Sequence, residues 1–233
     1  MNEMSKLTVV GLGPGRAGLI TREVWNLLTG KTRIILRTSV HPTVETLQKE
    51  GIRFTSYDSF YRDAENFESL YKHIARDILE KAVTEDLVYA VPGSPLVAER
   101  TVVLLRNMAV EYPMIKLCIL PAMSFVEVLY TELGIDPVEG LTILDATDIE
   151  DFLFMGSGNL PHGILVTQVY DSFIASNLKL SLMERYPDDM IVTYIYHLAL
   201  SDEDIRQIPL YALDRQKDID HLTSLFVPAV RLE

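Results

Sequence analysis

The chain has 233 residues, 48% of them apolar, so it can bury the core of one large or two modest domains. Its 33 acidic and 21 basic residues give a net charge of -12, which argues against a general binder of nucleic acid or anionic membranes, since these need a cationic face, and leaves a local basic pocket open. A single cysteine excludes an internal disulfide and a cysteine-rich metal site. Because we find neither a membrane-spanning apolar run of ~18 residues nor a signal peptide, we expect a cytoplasmic protein.

Short β-branched apolar runs in the first half of the chain predict strands. They are Leu7–Leu12, Thr32–Leu36, Ile52–Thr55, Leu87–Val91 and Met114–Leu120. Longer amphipathic stretches separate these runs and predict helices. Strands that alternate with helices in this way predict a parallel sheet with helices on both faces.

The helical stretch with the clearest period runs from Phe67 to Val83. Its apolar residues fall on one stripe of a 3.6-residue period, which predicts that they face a core: Phe67, Leu70, Tyr71, Ile74 and Ile78. An earlier helix is predicted to begin at Thr21, and Pro42 suits the first turn of another.

After Leu120 the spacing of the apolar runs changes. Ser124 with Glu127 three residues later is a capping-box pattern, which predicts a helix that ends at Gly134. Four further apolar runs predict strands, with a helix between the second and the third: Leu141–Leu144, Gly163–Val169, Ile191–Tyr196 and Leu225–Val227.

This change of pattern predicts two α/β domains, one of residues 1–120 and one of residues 121–233. A sharp turn at Pro121 would serve as the boundary in place of a flexible linker. Ligands of such α/β sheets bind at the carboxyl ends of the strands. We therefore expect the functional site at that edge.

Glycines follow the first predicted strand directly. Gly13, Gly15 and Gly18 match the G-x-G-x-x-G spacing of dinucleotide-binding loops, but the carboxylate expected about 20 residues later is missing until Glu45. Arg37 is a candidate to bind the 2′-phosphate of nicotinamide adenine dinucleotide phosphate, so a loop that binds this dinucleotide stays open as an interpretation. Two other interpretations stay open: a tight turn that needs glycine for its backbone conformation, and a loop that lines a substrate cleft.

Three motifs together resemble the tetrapyrrole (corrin/porphyrin) methylase family. The first is VGLGPG at residues 10–15, followed by LIT at residues 19–21. The second is VPGSPLV at residues 91–97, which is similar to the family's G-D-P turn. The third is LPAMSF at residues 120–125. Their order and spacing fit the family over nearly the whole chain.

Two positions depart from the family pattern. Ser94 stands where the G-D-P turn has an aspartate, which removes a charge near the cofactor. Ala122 stands where the third motif has a glycine, which removes backbone freedom at a turn. Backbone groups and Ser124 can still supply hydrogen bonds to a cofactor.

A narrower resemblance is to the methylase-like domain that precedes MazG pyrophosphohydrolase domains in YabN-type proteins. It is carried by residues 41–44, 58–61, 92–100 and 167–171. We see no tandem E-x-x-E helices of the MazG kind, so we expect an isolated or truncated N-terminal module. The resemblance implies a homodimer, and a C-terminal MazG domain as a partner in the full-length protein.

The resemblance also implies that S-adenosylmethionine is the cofactor, bound in a cleft between the two domains, and that a small molecule accepts its methyl group. The residues that it assigns to the cofactor are Pro92, Gly93, Ser94, Pro95, Leu96, Ser124, Phe125, Gln168, Val169, Tyr170, Tyr196, His197, Leu198 and Ala199. The glycine loop and polar residues near predicted strand ends are candidates for the substrate cleft: Gly13, Pro14, Gly15, Asp58, Tyr61, Glu99, Arg100 and Asp171.

No catalytic residue and no metal is assigned. Methyl transfer from a sulfonium is an in-line displacement, in which positioning alone can supply ~7–11 kcal/mol, so an acid–base pair is optional. The histidines show no ligand spacing with acidic or cysteine partners. The acidic net charge argues against a polycarboxylate tetrapyrrole as the acceptor.

The sequence thus supports an S-adenosylmethionine-dependent methyltransferase of the tetrapyrrole methylase type. An alternative is a catalytically silent cofactor-binding or interaction domain that regulates an attached MazG-type nucleotide pyrophosphohydrolase. A dehydrogenase is a third hypothesis.

Overall fold

The computed structural model describes residues 4–62, 66–149 and 162–229. The chain forms two compact units, Met1–Val128 and Leu129–Glu233. The division falls in the helix after Ser124, a few residues beyond the boundary predicted near residue 120.

The N-terminal unit is built on a five-stranded sheet. Its strands are β1 Ser5–Gly11, β2 Arg33–Leu36, β3 Thr55–Ser56, β4 Leu87–Val91 and β5 Ile115–Ile119. The strand order is β3-β2-β4-β1-β5 and every pairing is parallel, which confirms the predicted parallel sheet.

The third strand is shorter than the sequence predicts. Thr55 and Ser56 alone pair with β2, at its carboxyl end. Ile52 and Phe54, which gave the apolar pattern, instead pack against the core beside α1 and α2. Their burial comes from this packing and not from strand pairing, so the apolar run misplaced the strand.

Six helices belong to this unit or begin in it, among the residues that the structure describes. They are α1 Arg22–Leu28, α2 Pro42–Lys49, α3 Asp58–Arg62, α4 Phe67–Ala82, α5 Arg100–Met108 and α6 Phe125–Leu133. The Thr21 side chain accepts a hydrogen bond from the Val24 amide and caps α1, as predicted. Pro42 lies in the first turn of α2, and Gly134 follows α6 with a φ of +62°, so both predicted boundaries are confirmed.

Both faces of the parallel sheet are covered, because successive side chains of a strand point to opposite faces. Leu7 and Val9 of β1 pack in the core with α4 and α5. Val10 of the same strand packs in a second core with α1 and α2. Sheet residues on both faces are fully buried, which explains the continuous apolar runs in the sequence.

The apolar stripe of α4 faces the core, with one exception. Leu70, Ile74 and Ile78 are buried as predicted, and Tyr71 packs against the core with part of its surface exposed. Phe67 is 64% exposed, so its predicted burial is wrong. It is the first residue of the helix and stacks on Tyr71, with ring centroids 6.0 Å apart.

The C-terminal unit contains a five-stranded mixed sheet and one long helix in its described part. Its strands are β6 Leu141–Asp145, β7 Gly163–Thr167, β8 Ile191–Tyr196, β9 Asp204–Pro209 and β10 Ser224–Val227, and the helix is α7 Ser172–Met183. The order is β6-β7-β10-β8-β9, and only β6 and β7 are parallel.

One strand of this sheet, β9, was not predicted from the sequence. It is an edge strand paired only with β8, and its sequence DIRQIP has two isolated isoleucines among polar residues. Edge strands need little apolar surface, so the pattern that marks a buried strand is absent. The α/β class with two sheets is confirmed.

We predict that Ile74→Ala lowers the free energy of unfolding by about 2–5 kcal/mol, because Ile74 is fully buried on α4 and truncation leaves a cavity. Phe67→Ala, on the same helix and in the same sequence stripe, should cost about 1 kcal/mol or less, because its ring is exposed. Urea denaturation of both variants measures the difference. Equal losses would contradict the orientation of α4 described above.

Candidate functional site

The loops that follow β1 and β4 are joined by their backbones. The Gly13 amide donates to the Gly93 carbonyl at 3.2 Å, and the Gly93 amide donates to the Gly13 carbonyl at 2.9 Å. Both glycines have positive φ, +74° and +62°, a conformation that other residues rarely adopt. The first and second sequence motifs therefore meet at the carboxyl ends of these neighbouring strands.

Gly11 brings the third motif to the same place. A Cβ at Gly11 would lie 2.1 Å from the Gly93 carbonyl oxygen, 2.6 Å from Ala122 Cβ and 3.0 Å from Pro95 Cδ. Only a residue without a side chain fits this close approach. The methyl group of Ala122, which departs from the family pattern, lies against the bare backbone of Gly11.

The dinucleotide interpretation of this loop is wrong. In a dinucleotide-binding fold the third glycine lies in the first turn of the helix. Gly18 lies in a short 3-10 turn, Ala17–Leu19, and α1 begins later, at Arg22. The loop instead pairs with the loop after β4.

Thr43, at the start of α2, is hydrogen-bonded to the glycine loop. Its buried hydroxyl lies 2.8 Å from the Gly15 carbonyl oxygen and 3.2 Å from that of Leu12. The Thr43 amide donates to Nδ1 of His41, the residue that caps α2. The HPTV segment and the glycine loop are thus parts of one structure.

His41 is neutral near pH 7. Burial lowers its pKa to about 4, a hydrogen bond to the Gly13 backbone opposes this shift, and the charge of Arg37 adds to it. The imidazole therefore contributes a hydrogen bond and no charge beside the glycine loop.

A buried charged pair lies beyond the carboxyl end of β2. Arg37 Nε is 3.2 Å from Glu99 Oε2, and the Glu99 side chain is only 4% exposed. Glu99 also caps α5, since its other oxygen accepts from the amide and the hydroxyl of Thr101. Arg37 is therefore committed to a carboxylate, which argues against the 2′-phosphate role left open by the sequence.

Three tyrosines surround this pair. Burial lowers the pKa of Arg37, but Glu99 and then Tyr61, Tyr89 and Tyr71 raise it by more, so the guanidinium stays charged. Burial raises the pKa of Tyr61 to about 12, against the opposing charge of Arg37. Among the described residues, Tyr61 Oη is buried without a hydrogen-bond partner, and Arg37 Nε meets Glu99 as an ion pair whose geometry is not that of a hydrogen bond. Tyr61, predicted to face the substrate, thus belongs to this polar cluster.

Asp58 holds its own surroundings together. Its carboxylate accepts hydrogen bonds from the hydroxyls of Thr38, Ser39 and Ser56 and from the Ser39 amide. Burial raises the pKa of Asp58, but these hydrogen bonds outweigh it and lower the pKa to about 2. The structure gives Asp58 a role in fixing the loop after β2, and a role toward a substrate stays a prediction.

Two further polar candidates of this unit, Arg100 and Ser124, also have partners. Arg100 is exposed and makes two hydrogen bonds to Glu68 of α4, at 3.0 and 3.1 Å. The buried Ser124 hydroxyl donates to Glu127 at 2.6 Å and accepts from the Val126 amide at 3.1 Å. Ser124 is thus the cap of α6 that the sequence predicts, and its donor is already in use.

The turn after β4 presents a mixed surface. Pro95 is buried and Leu96 is 61% exposed, whereas Pro92, Gly93 and Ser94 are half-buried. The Val97 amide donates to the Ser94 carbonyl and closes the turn. Phe125 and Pro14 are half-buried, so each of these segments offers both backbone and side-chain surface.

Strained backbone marks the segments that the resemblance assigns to the cofactor. Among the described residues, four residues other than glycine have positive φ: Ala98 (+52°), Gln168 (+64°), His197 (+51°) and Ala199 (+68°). Such residues cost about 1–3 kcal/mol each and tend to occur at functional sites. Ala98 follows the second motif, and the other three lie in the two segments chosen in the C-terminal unit.

The imidazole of His197 lies between two carboxylates. Nδ1 is 2.8 Å from Asp202 Oδ2, Nε2 is 2.7 Å from Asp220 Oδ2, and the ring stacks on Tyr196. Burial lowers the pKa of His197, but the hydrogen bonds to Asp220 and Asp202 outweigh it, so the pKa is raised. The His197 side chain therefore makes these hydrogen bonds within the C-terminal unit.

The remaining candidates of this unit divide by exposure. Val169 and Leu198 are buried, whereas Tyr170 is 43% exposed. The Asp171 side chain accepts from the Ile174 amide and caps α7. Asp171 is thus a helix cap, and it is exposed, as Tyr170 is.

Sequence reasoning missed several residues that build these arrangements. Tyr71, Tyr89 and Thr101 complete the cluster around Arg37, and Asp220 completes the partners of His197. The strand-end rule that selected Asp58 would have selected Arg37, which directly follows β2. The aromatic residues gave no such signal, since tyrosines on strands and helices usually indicate core packing.

Within residues 4–62, 66–149 and 162–229, no helix is long and apolar enough to cross a bilayer. The same residues contain no group of three or more histidine, cysteine, aspartate or glutamate side chains placed to hold a metal ion.

Comparison with known proteins gives one family and one sequence relative. The profile described as Tetrapyrrole (Corrin/Porphyrin) Methylases matches residues 6–214. YabN, an uncharacterized protein of Bacillus subtilis (strain 168), is 38% identical over 229 residues, which are 98% of this chain. The chain spans only 46% of the length of that relative.

Solved structures share the fold. Uroporphyrin-III-C-methyltransferase from Thermus thermophilus has a TM-score of 0.69 and 17% identity, covering 97% of this chain and 93% of its own. The methyltransferase CobJ has a TM-score of 0.73 and 15% identity, covering 98% and 97%. Diphthine synthase has a TM-score of 0.69 and 16% identity, covering 98% and 92%. At these identities the likeness concerns the fold alone.

We predict that Gly11→Ala destabilises the protein by about 1–3 kcal/mol and displaces the loop after β4, because the new methyl group would overlap the Gly93 carbonyl. Gly18→Ala is the matched control. It lies in the same loop, has open space around its position, and should change stability by less than about 0.5 kcal/mol. Thermal unfolding of both variants measures this, and a harmless Gly11→Ala would disprove the close approach.

Proposed function

The chain belongs to the tetrapyrrole methylase family, and we propose that it binds S-adenosylmethionine and transfers its methyl group to a small-molecule acceptor. The observation that carries the proposal is the meeting of three motifs at Gly11, Gly93 and Ala122. That meeting lies at the carboxyl edge of a parallel sheet, where α/β folds bind ligands.

The shape of this edge suits a cofactor that approaches the backbone closely. Gly93 has positive φ, and an added Cβ there would meet no atom within 4 Å, so the turn offers open space beside bare backbone. We propose that Pro92, Gly93, Ser94, Pro95 and Leu96 contact the methionine part of the cofactor. Backbone amides and carbonyls of this turn would supply hydrogen bonds without a charged side chain.

The charge of the chain agrees with a cationic cofactor. S-adenosylmethionine supplies a methyl group activated by a positively charged sulfur. With a net charge of -12 the protein attracts cations, and Asp58 stays ionised because its pKa is about 2. The residues of the chain then have to bind, orient and desolvate the reactants, and positioning can lower the barrier by about 7–11 kcal/mol.

In the C-terminal unit, we propose that the backbone of Gln168–Tyr170 and of Tyr196–Ala199 contacts the adenosine part. The positive φ of Gln168, His197 and Ala199 supports this assignment, since strained backbone is retained where a site needs it. Phe125 and the Ser124 lone pairs are the candidates at the third motif.

We propose that the acceptor binds near the glycine loop, at Gly13, Pro14 and Gly15, and near the cluster of Tyr61 and Glu99. We propose that the acceptor is not a polycarboxylate, because Arg37, a cation at this cluster, is paired with Glu99. Asp58 and Arg100 act through the loops and helices that they hold.

A second candidate function is a silent S-adenosylmethionine-binding domain that regulates an attached MazG-type nucleotide pyrophosphohydrolase. Two observations favour it. The chain spans 46% of its relative YabN, so that relative has room for a further domain. Ser94 stands where the family has an aspartate. A homodimer of the methylase-like domain is part of both proposals.

We predict that the chain binds S-adenosylhomocysteine at one site per protomer, measured by isothermal titration calorimetry. Gly93→Ala should weaken binding by at least about tenfold, because it adds strain and a methyl group at the proposed site. Gly51→Ala is the control. Gly51 also has positive φ with open space around it, so both variants carry the same backbone strain.

Folded protein that gives no heat with S-adenosylhomocysteine or S-adenosylmethionine would remove the proposal. Equal affinity of Gly93→Ala and Gly51→Ala would place the cofactor elsewhere. In a full-length relative, hydrolase kinetics that change when S-adenosylmethionine is added, without methyl transfer, would favour the regulatory alternative.

A further inference from the structure

A chain of hydrogen bonds in the C-terminal unit starts at His197. Its Nε2 contacts Asp220 at 2.7 Å and its Nδ1 contacts Asp202 at 2.8 Å. Asp202 lies between β8 and β9, whereas Asp220 lies in the segment before β10. His197 and Asp202 belong to the same connection between β8 and β9, so the imidazole joins that connection to the segment before β10.

The turn at Asp220 continues the chain to a second loop. The Asp220 amide donates to the Thr223 hydroxyl at 2.9 Å, and the Thr223 amide donates back to the Asp220 carbonyl at 3.0 Å. Thr223 is 1% exposed, and its carbonyl accepts from the Val169 amide at 3.2 Å. Val169 directly follows Gln168, whose φ is +64°. We call His197, Asp202, Asp220 and Thr223 the histidine clamp.

The histidine clamp joins the two strained loops of this unit. His197 and Gln168 both have positive φ, and neither is a glycine. Backbone in this region persists only where the surroundings hold it in place. The hydrogen bonds of the clamp link the two loops through the turn from Asp220 to the buried Thr223.

We propose that His197 is a positioning residue, which acts through Asp220 and Thr223 to hold the two loops in the conformation that binds the adenosine part of the cofactor. This inference rests on the proposed function. In this proposal the His197 side chain contacts Asp202 and Asp220 and not the cofactor. The backbone at Gln168 and Leu198 makes the contacts with the cofactor.

The clamp depends on the protonation of His197. An imidazole donates from both nitrogens only when it carries a positive charge, and both nitrogens of His197 face carboxylate oxygens. The neutral ring would leave one nitrogen lone pair against a carboxylate, which is repulsive. The charged form therefore holds the loops, and the neutral form releases one contact.

The groups around His197 favour its charged form. Asp202, Asp220 and the stacked Tyr196 contact the ring, and the groups packed beyond them are Glu203, Asp218, Asp204 and Arg206. Burial lowers the pKa of His197, but the two carboxylates outweigh burial and raise the pKa above its usual value. A raised pKa means that the contact is complete at low pH and is lost as the pH rises through that pKa.

The first test is the affinity of the whole chain for S-adenosylhomocysteine between pH 6 and 9, compared between variants. In the parent protein the dissociation constant should rise by up to about tenfold per pH unit above the His197 pKa. In Asp220→Asn, which keeps the shape but removes a charge, the rise should begin at lower pH. His197→Asn should bind weakly and lack this rise.

His73→Asn is the control, because His73 is an exposed residue of α4 that contacts the ring of Phe60 in the other unit. Its affinity and pH profile should follow the parent protein, which also corrects for ionisation of the ligand itself. A profile shared by the parent protein and His197→Asn would overturn the proposal.

A second measurement does not need the cofactor. Amide hydrogen exchange at Val169 should become several-fold faster in His197→Asn and Asp220→Asn, because its partner Thr223 is no longer held. Unchanged exchange would show that the clamp does not hold the Gln168 loop. If no protein binds S-adenosylhomocysteine, the proposed function fails, and the exchange at Val169 still decides whether the clamp couples the loops.

Discussion

The close approach of three backbone segments at Gly11 is the constraint on which the rest of the N-terminal unit depends. The Gly93 carbonyl, Pro95 and Ala122 occupy the space that any side chain at Gly11 would need. Parallel strands carry their connecting loops to one edge, so this contact gathers segments that are about 80 and 110 residues apart in sequence. The paired amides of Gly13 and Gly93 then fix the loops at van der Waals distance.

Around this contact, polar residues fix the loops in place. Thr43 hydrogen-bonds the glycine loop, Asp58 holds the segment after β2, and Glu99 joins the cap of α5 to Arg37. A buried charge without its partner costs about 3–5 kcal/mol, so the Arg37 pair restricts where the neighbouring loops can lie. The C-terminal unit uses a comparable device at His197, whose two carboxylate partners come from different loops.

Signals that are local in sequence predicted much of this structure. The apolar runs predicted the parallel sheet. Thr21 and Ser124 predicted the starts of α1 and α6, because a helix cap bonds to groups within four residues of itself in sequence. Long-range choices were not visible. Glu99 and Arg37 are far apart in sequence, so their pairing left no local signal. Phe67 matches the helical period but is exposed. His197 has a positive φ although it is not a glycine, so its residue type did not indicate this conformation. Pairing and strain depend on tertiary contacts, which a single sequence does not display.

The account is tested most directly by amide NMR of the chain titrated with S-adenosylhomocysteine. It predicts that the largest shifts fall on the amides of Gly13 and Gly93 and on the turn that ends at Leu96. The alternative binding site is a surface cavity of about 580 Å³ at the start of β2, lined by residues 28–34 and 50–55. Shifts confined to that cavity, with Gly13 and Gly93 unchanged, would contradict the account.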